Sequence, residues 1–271
     1  MDLQSILNDT SLLKITDDTQ MAMFGLEAII RSLRKPSFKF AIEGELREAY
    51  IRWLHTQQGP YQYTTGLASM SDMQLVEAPG NTCILSLNYL QDTRKVLVND
   101  RKGCGGVMRL LPFIGLFDLM PFKAVQSIAR YSAALTHGHA EVAPAVDHYL
   151  EVAYRIHQQG LATVQEELRR EYPRLNITDY GTGWTAKECI DMALWAVGHA
   201  GSFDEMLILS TCHKGDSDSV GAVAGSLWGL SGDQQVYHYT DRLLQASIID
   251  DLVAEYEYLT QGDRHDQRTY A

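Results

Sequence analysis

Residues 213–229 read His-Lys-Gly-Asp-Ser-Asp-Ser-Val-Gly-Ala-Val-Ala-Gly-Ser-Leu-Trp-Gly. Two carboxylates, Asp216 and Asp218, and a hydroxyl, Ser219, stand directly before a run of small and apolar residues of helical length. An apolar interior does not accept such hard oxygen donors unless a cation sits among them. Near the other end of the chain Thr16-Asp17-Asp18-Thr19 repeats the pattern, again just before an apolar segment. If the two clusters serve one divalent metal site, the chain must return after about two hundred residues to the place where it began. That requirement constrains the fold more than any other feature.

These acids admit other readings. Aspartate and serine at a helix start commonly cap the free N–H groups and favour the positive end of the dipole, which is the ordinary meaning of a lone Asp-Ser-Asp-Ser. An EF-hand loop would place its bidentate glutamate at position 227, which is leucine, so that motif is excluded. A phosphatase-type Asp-x-Asp needs a preceding buried strand. Residues 203–211 instead open with Ser202-x-x-Glu205, a capping box, and read as helix.

The apolar pattern predicts helices over residues 20–33, closed by Pro36, and over 40–55, where Ile42, Leu46, Ala49, Tyr50 and Trp53 form one stripe. Residues 57–74 read as loop. A turn at 79–82 feeds a helix capped by Asn81 or Thr82. Residues 107–117 predict a helix interrupted at Pro112, and Pro121 restarts helix at its first position. Further helices are expected at 141–159, ending on Gly160, at 162–172, and at 189–197 after the Thr185-x-x-Glu188 capping box. Gly221, Gly225 and Gly229 lie on one face of the helix expected at 220–230 and predict close packing there. One or two acidic helices are expected over 243–258, with a frayed polar ending from 260. No segment alternates with a period of two, so the fold class is all-α, in a single domain over 1–271.

A net charge of −11 over 271 residues argues against nucleic acid and anionic membrane as partners, since both require basic patches. The four cysteines show no C-x-x-C spacing, as expected of reduced thiols in a cytoplasmic protein. Residues 1–13 carry acids and no continuous apolar stretch, so no cleaved signal is expected.

Two more constellations carry chemistry. In Lys102-Gly103-Cys104-Gly105-Gly106-Val107-Met108-Arg109, successive glycines allow backbone N–H groups to converge into a nest for a diphosphate, with Lys102 as a nearby charge. Walker A spacing is absent, and a plain packing turn is the competing reading. In Thr136-His137-Gly138-His139 the histidines lack a third soft ligand at a matching position. His137 is read as a ring against a ligand or as a helix C-terminal cap.

These motifs, together with Pro79-Gly80-Asn81-Thr82 and Gly181-Thr182-Gly183-Trp184, occur in the order seen in ADP-ribosylglycohydrolases, and the resemblance runs from Ile15 onward. It implies a compact multi-helix fold with a binuclear Mg²⁺ or Mn²⁺ centre that cleaves the glycosidic bond between ADP-ribose and a modified protein side chain. By motif, Thr16, Asp17, Asp18, Asp216, Asp218 and Ser219 resemble the metal ligands, with Asp17 or Asp18 acting as base or steering water. Gly80, Lys102, Gly103, Cys104, Gly105, Gly106, His137 and Gly183 resemble the substrate-binding set, His137 on the adenosine side. The expected substrate is an ADP-ribosylated protein or ADP-ribosyl amino acid, arginine-linked in preference to serine-linked. The alternative is a non-catalytic relative that binds ADP-ribose or a partner protein.

The chain departs from the family pattern in two places. Cys104 stands where many members have asparagine, so one hydrogen bond to the ligand is expected to be missing or supplied by backbone. Only fifteen residues precede Thr16, where the family usually carries a helix with a Gly-Asp-Ala-Leu-Gly type motif; the chain is read as lacking that element.

Overall fold

The computed structural model describes residues 12–59 and 62–266. The readings made at residues 1–11, and at 267–271 of the polar ending, lie outside the described residues. The regular elements are α1 Asp17–Leu33, α2 Phe38–Gln58, α3 Asn81–Thr93, α4 Leu111–Ile114, α5 Phe122–Ala134, α6 Val142–Gln159, α7 Leu161–Glu171, α8 Ala186–His199, α9 Phe203–Thr211, α10 Ser217–Gly229 and α11 Ala246–Asp266. The β pairing seen among the described residues consists of isolated bridges, Leu13 with Leu243 and Gly103 with Thr185. The all-α expectation holds. No helix among these residues is long and apolar enough to cross a membrane.

Two helices are central. Most residues of α1 and α8 are buried, including polar residues of α1 such as Gln20 and Glu27. Helix α1 packs on α2, α4 and α11, while α8 packs on α6, α7 and α9. Helix α10 touches both α1 and α8, and so brings its own N-terminus to that of α1. The core between them includes Phe24, Tyr50, Trp53 and Met192, each fully buried and each contributing roughly 1.5–3 kcal/mol through area removed from water. Beneath the start of α1, the buried Gln20 side chain accepts from Trp53 Nε1 at 3.2 Å and Gln57 Nε2 at 3.0 Å, and donates to the Leu75 carbonyl at 3.0 Å. These bonds fasten the segment after Leu75 to α1.

Local chemistry explains most element ends. Thr185 and Ser202 accept from the N–H groups of Glu188 at 3.3 Å and Glu205 at 3.2 Å, one half of each expected capping box; the Glu188 and Glu205 carboxylates accept instead from the N–H groups of Thr182 at 3.2 Å and Gly201 at 2.7 Å. Gly160 ends α6 with φ +82°, a conformation that glycine adopts without strain.

Several expectations need correction. Helix α1 begins at Asp17, three residues early, because both aspartates join its first turn. Gly80, and not Asn81 or Thr82, is the N-cap of α3, with no side-chain cap. Pro121 is likewise an N-cap, one residue before the first position of α5. The segment at 107–117 is broken more deeply than one kink, into α4 and a 3-10 turn at Gly115–Asp118. The expected loop at 57–74 contains 3-10 turns at Leu67–Ser69 and Ser71–Met73. Close packing on α10 occurs at Gly221, where a Cβ would lie 2.8 Å from Thr211, whereas Gly225 and Gly229 face open space. Helix α11 runs on to Asp266, past the point where fraying was expected.

Candidate metal centre

The first turns of α1 and α10 meet. Thr16 is the N-cap of α1 with extended backbone, yet its side chain caps nothing; its hydroxyl donates to Asp18 Oδ2 at 3.1 Å. Asp216 is the N-cap of α10 and also makes no capping bond; its Oδ2 accepts from the Cys104 thiol at 2.7 Å. The contrast with Thr185 and Ser202, which do cap, argues against the plain capping reading of both acidic clusters. Asp17 is held by backbone on two sides: its N–H donates to the Glu77 carbonyl at 3.0 Å and its Oδ2 accepts from the Gly80 N–H at 3.1 Å. The Gln20 and Gln57 bonds to Leu75 position that segment.

Carboxylate oxygens of Asp17, Asp18 and Asp218 lie within 4.8 Å of one another. Asp17 and Asp18 are only 5% and 2% exposed, whereas Asp218 faces solvent. Unit charges about 4 Å apart repel by about 4 kcal/mol at an effective dielectric near 20. Burial, then the neighbouring Asp18 charge, push the Asp17 carboxyl up to about 8. Burial also raises Asp18, against the pull of the Ser219 and Thr16 hydroxyls. Asp216 is pushed up to about 7, first by burial and then by its hydrogen bond with Asp218. The Ser219 hydroxyl faces Asp18 but donates toward Cys104 Sγ at 3.6 Å, and Oδ1 of Asp18 is buried with no hydrogen-bond partner among the described residues. A buried acceptor without a donor, ringed by carboxylates and hydroxyls, has the chemistry of a site for a hard divalent cation. The residues fit such an ion.

The glycine loop runs beside this cluster. Cys104 N–H donates to the Trp184 carbonyl at 3.1 Å and Lys102 accepts from Ala186 N–H at 2.8 Å, so the loop is stitched to the start of α8. The Cys104 carbonyl accepts from Val107 and Met108 and closes a 3-10 turn at Cys104–Gly106. His137 lies under the loop, 4% exposed, with Nδ1 2.8 Å from Thr136 Oγ1. A Cβ at Gly105 would meet the His137 ring at 2.9 Å and Cys83 Sγ at 3.0 Å, and one at Gly103 would meet the ring at 3.2 Å. Glycine is required here because the loop rests on an imidazole. Burial, reinforced by Arg109 and Arg101, pushes His137 down to about 3, so it is neutral at ordinary pH. The Lys102 ammonium turns outward to Glu141 at 3.5 Å.

The third side is residues 181–184. Gly183 has φ +85°, and a Cβ there would meet Val220 at 3.0 Å and the Asp216 carbonyl at 3.1 Å. Asp216 N–H donates to the Thr182 carbonyl at 2.8 Å. This segment clamps the turn that presents Asp216, and Trp184 stands 61% exposed on the rim.

The family model for ADP-ribosylglycohydrolases matches residues 5–255. The chain belongs to the ADP-ribosylglycohydrolase family. A solved structure described as an "ADP-ribosylglycohydrolase-related protein complex" shares the fold, with a TM-score of 0.63 at 20% identity, covering 90% of this chain and 81% of that one. No curated protein matches the sequence.

In this member of the family the six residues expected to bind metal gather at the meeting point of α1 and α10. Gly80 touches the cluster through its N–H and Gly183 supports it from behind. The sequence reading leaves out the Glu77 carbonyl and Arg109, and it gives Gly80 and Cys104 a substrate-binding role without their contacts to the carboxylates. The Glu77 carbonyl and Gly80 N–H act through backbone, which carries no residue signature. Cys104, read as part of the loop, also reaches the carboxylates. Arg109 is fully buried beneath the loop, donating to the Ser132 carbonyl at 2.7 Å and Thr136 Oγ1 at 2.8 Å with its guanidinium over Tyr50. Its one signal is a charge inside an otherwise apolar run.

Proposed function

We propose that the chain is a divalent-metal-dependent hydrolase that cleaves the glycosidic bond between ADP-ribose and a modified protein side chain, arginine in preference to serine. The observation that carries this reading is the pair of helix N-caps, Thr16 and Asp216, whose side chains leave their helices uncapped and turn to a carboxylate cluster containing the unpartnered Asp18 Oδ1. Family membership supplies the reaction class.

Thr16, Asp17, Asp18, Asp216, Asp218 and Ser219 would hold two ions, Mg²⁺ or Mn²⁺, given an all-oxygen donor set from these residues. When bound, such ions supply Lewis acidity and lower the proton affinity of water. Asp17, oriented through the Gly80 N–H on its Oδ2, accepts the proton of the attacking water; Asp18, bonded to Thr16 and buried, holds metal. The glycine loop from Gly103 to Gly106 would cradle the diphosphate, a role that backbone nests serve without side-chain charge. His137, neutral and buried, supports the loop from below and so fixes the donors that meet the nucleotide. A cavity of about 700 Å³, lined in part by Glu141, Tyr172, Tyr180 and Lys187, adjoins the loop through the Lys102–Glu141 pair and has the size for part of a nucleotide. The net charge of −11 favours a cationic, arginine-bearing target over nucleic acid or an anionic membrane. Four free cysteines suit a reducing, cytoplasmic location.

The test is incubation with ADP-ribosyl-arginine and ADP-ribosyl-serine peptides, with Mg²⁺ or Mn²⁺ and with chelator. Metal-dependent release of ADP-ribose, faster from arginine, is expected. Tight binding without release would identify a binding module instead, and neither binding nor release would reject the proposal.

A further inference from the structure

Cys104 has two relationships to the acidic cluster that its place in a glycine loop does not require. Its thiol donates to Asp216 Oδ2 at 2.7 Å, and the Ser219 hydroxyl donates to its sulfur at 3.6 Å. Asp216 and Ser219 are two of the residues proposed above as metal ligands. The sulfur is held there by backbone: Cys104 N–H bonds Trp184 and its carbonyl closes the 3-10 turn, so the side chain has little freedom to leave. In the same cluster the buried Asp18 Oδ1 has no hydrogen-bond partner among the described residues. A soft donor therefore stands among hard ones.

Building on the proposed metal centre, we propose that Cys104 joins it as a sulfur donor and sets its metal preference, making the centre receptive to thiophilic divalent ions such as Zn²⁺ or Cd²⁺ as well as to Mn²⁺. Binding balances simply. The Cys104 S–H bond breaks, its proton leaves to solvent, and the sulfur lone pair forms the bond to the ion. A coordinating thiol is deprotonated by the ion's own charge, and because proton and ion compete for the sulfur, binding through it strengthens as pH rises. Thiolate ligands select softer ions, whereas carboxylates and hydroxyls suit Mg²⁺ and Mn²⁺. The same chain with an oxygen at this position would lose that receptivity and keep the rest.

The experiment uses the full chain with Cys212→Ser as background, because Cys212 is exposed and would bind Cd²⁺ on its own. Cd²⁺ is titrated while the ultraviolet thiolate-to-cadmium charge-transfer absorption is followed, and Cd²⁺ and Mn²⁺ affinities are measured by calorimetry. The background protein is expected to develop the absorption to saturation. Cys104→Ser should abolish it and lower the Cd²⁺-to-Mn²⁺ affinity ratio by at least roughly tenfold, with Mn²⁺ affinity little changed. Cys104→Ala serves as the second variant if the serine form folds poorly. Absorption that survives both substitutions, or an equal loss of both affinities, overturns the role of Cys104 while leaving the metal centre standing. If the background protein binds neither ion, the metal centre fails and this inference falls with it.

Discussion

Replacing Asp17 by asparagine isolates the electrostatic character of the site. The Asp17 carboxyl, 5% exposed, has its proton affinity pushed from 3.8 up to about 8 by burial and by Asp18. In chelator, the folded protein therefore retains a proton that the unfolded chain releases between these values. The native state binds more protons in that window, so stability is present at low pH and falls as pH rises towards about 8, by roughly 1.4 kcal/mol per pH unit for one full proton. The proton is shared with Asp18, so the slope belongs to the pair, and the dipole of α1 favours a carboxylate here by about 0.3–1 kcal/mol. A loss on the order of 2–4 kcal/mol between about pH 5 and about pH 8 is expected for the metal-free wild type. Asparagine has nearly the same shape, still accepts from the Gly80 N–H and cannot titrate. Asp17→Asn should match the wild type near pH 5 and exceed it by about 2–4 kcal/mol near pH 8, measured by urea unfolding in chelator. A variant less stable than the wild type near pH 8, or a difference that ignores pH, would refute the reasoning and make Asp17 a structural helix-start residue.

The neutral, buried His137 should show no imidazole titration between about pH 5 and about pH 8 by nuclear magnetic resonance, and His137→Ala should cost about 2–4 kcal/mol by leaving a cavity under the loop. At Gly105 even one methyl group collides with His137 and Cys83, so Gly105→Ala should destabilise by about 1–3 kcal/mol and weaken ADP-ribose binding in calorimetry. Gly80 has open space where its Cβ would lie, so Gly80→Ala should change thermal stability by less than about 0.5 kcal/mol.

Where a feature of the fold is decided by neighbours in sequence, the sequence shows it. The Thr185 and Ser202 caps, the Gly160 stop and the stripe of α2 all rest on spacings within one or two turns. The boundaries that shifted depend on contacts from elsewhere: α1 starts at Asp17 because the Glu77 carbonyl meets its N–H, and Gly225 and Gly229 face open space because no described residue comes within 4 Å of where their Cβ atoms would lie. In the site, hydroxyl and carboxylate pairs announced Thr16 to Asp18 and Asp216 to Ser219 by residue type alone. The reason for the glycines did not show, since it lies in an imidazole thirty or so residues downstream. Nor did the second contact of Cys104, which spans 112 residues, nor the burial of Arg109, whose partners are a backbone carbonyl and a threonine.

The most direct test compares wild type and the double variant Asp216→Asn with Asp218→Asn by thermal melting, each in chelator and in saturating Mn²⁺. An ion that binds only the folded state stabilises it by about 2.7 kcal/mol at a hundredfold excess over its Kd. The account predicts that Mn²⁺ raises the melting temperature of the wild type and leaves the variant unmoved, and that in chelator the variant melts at or above the wild type, because repulsion has been removed. A variant that melts well below the chelated wild type, with Mn²⁺ shifting neither, would show these aspartates to be structural caps and contradict the metal centre.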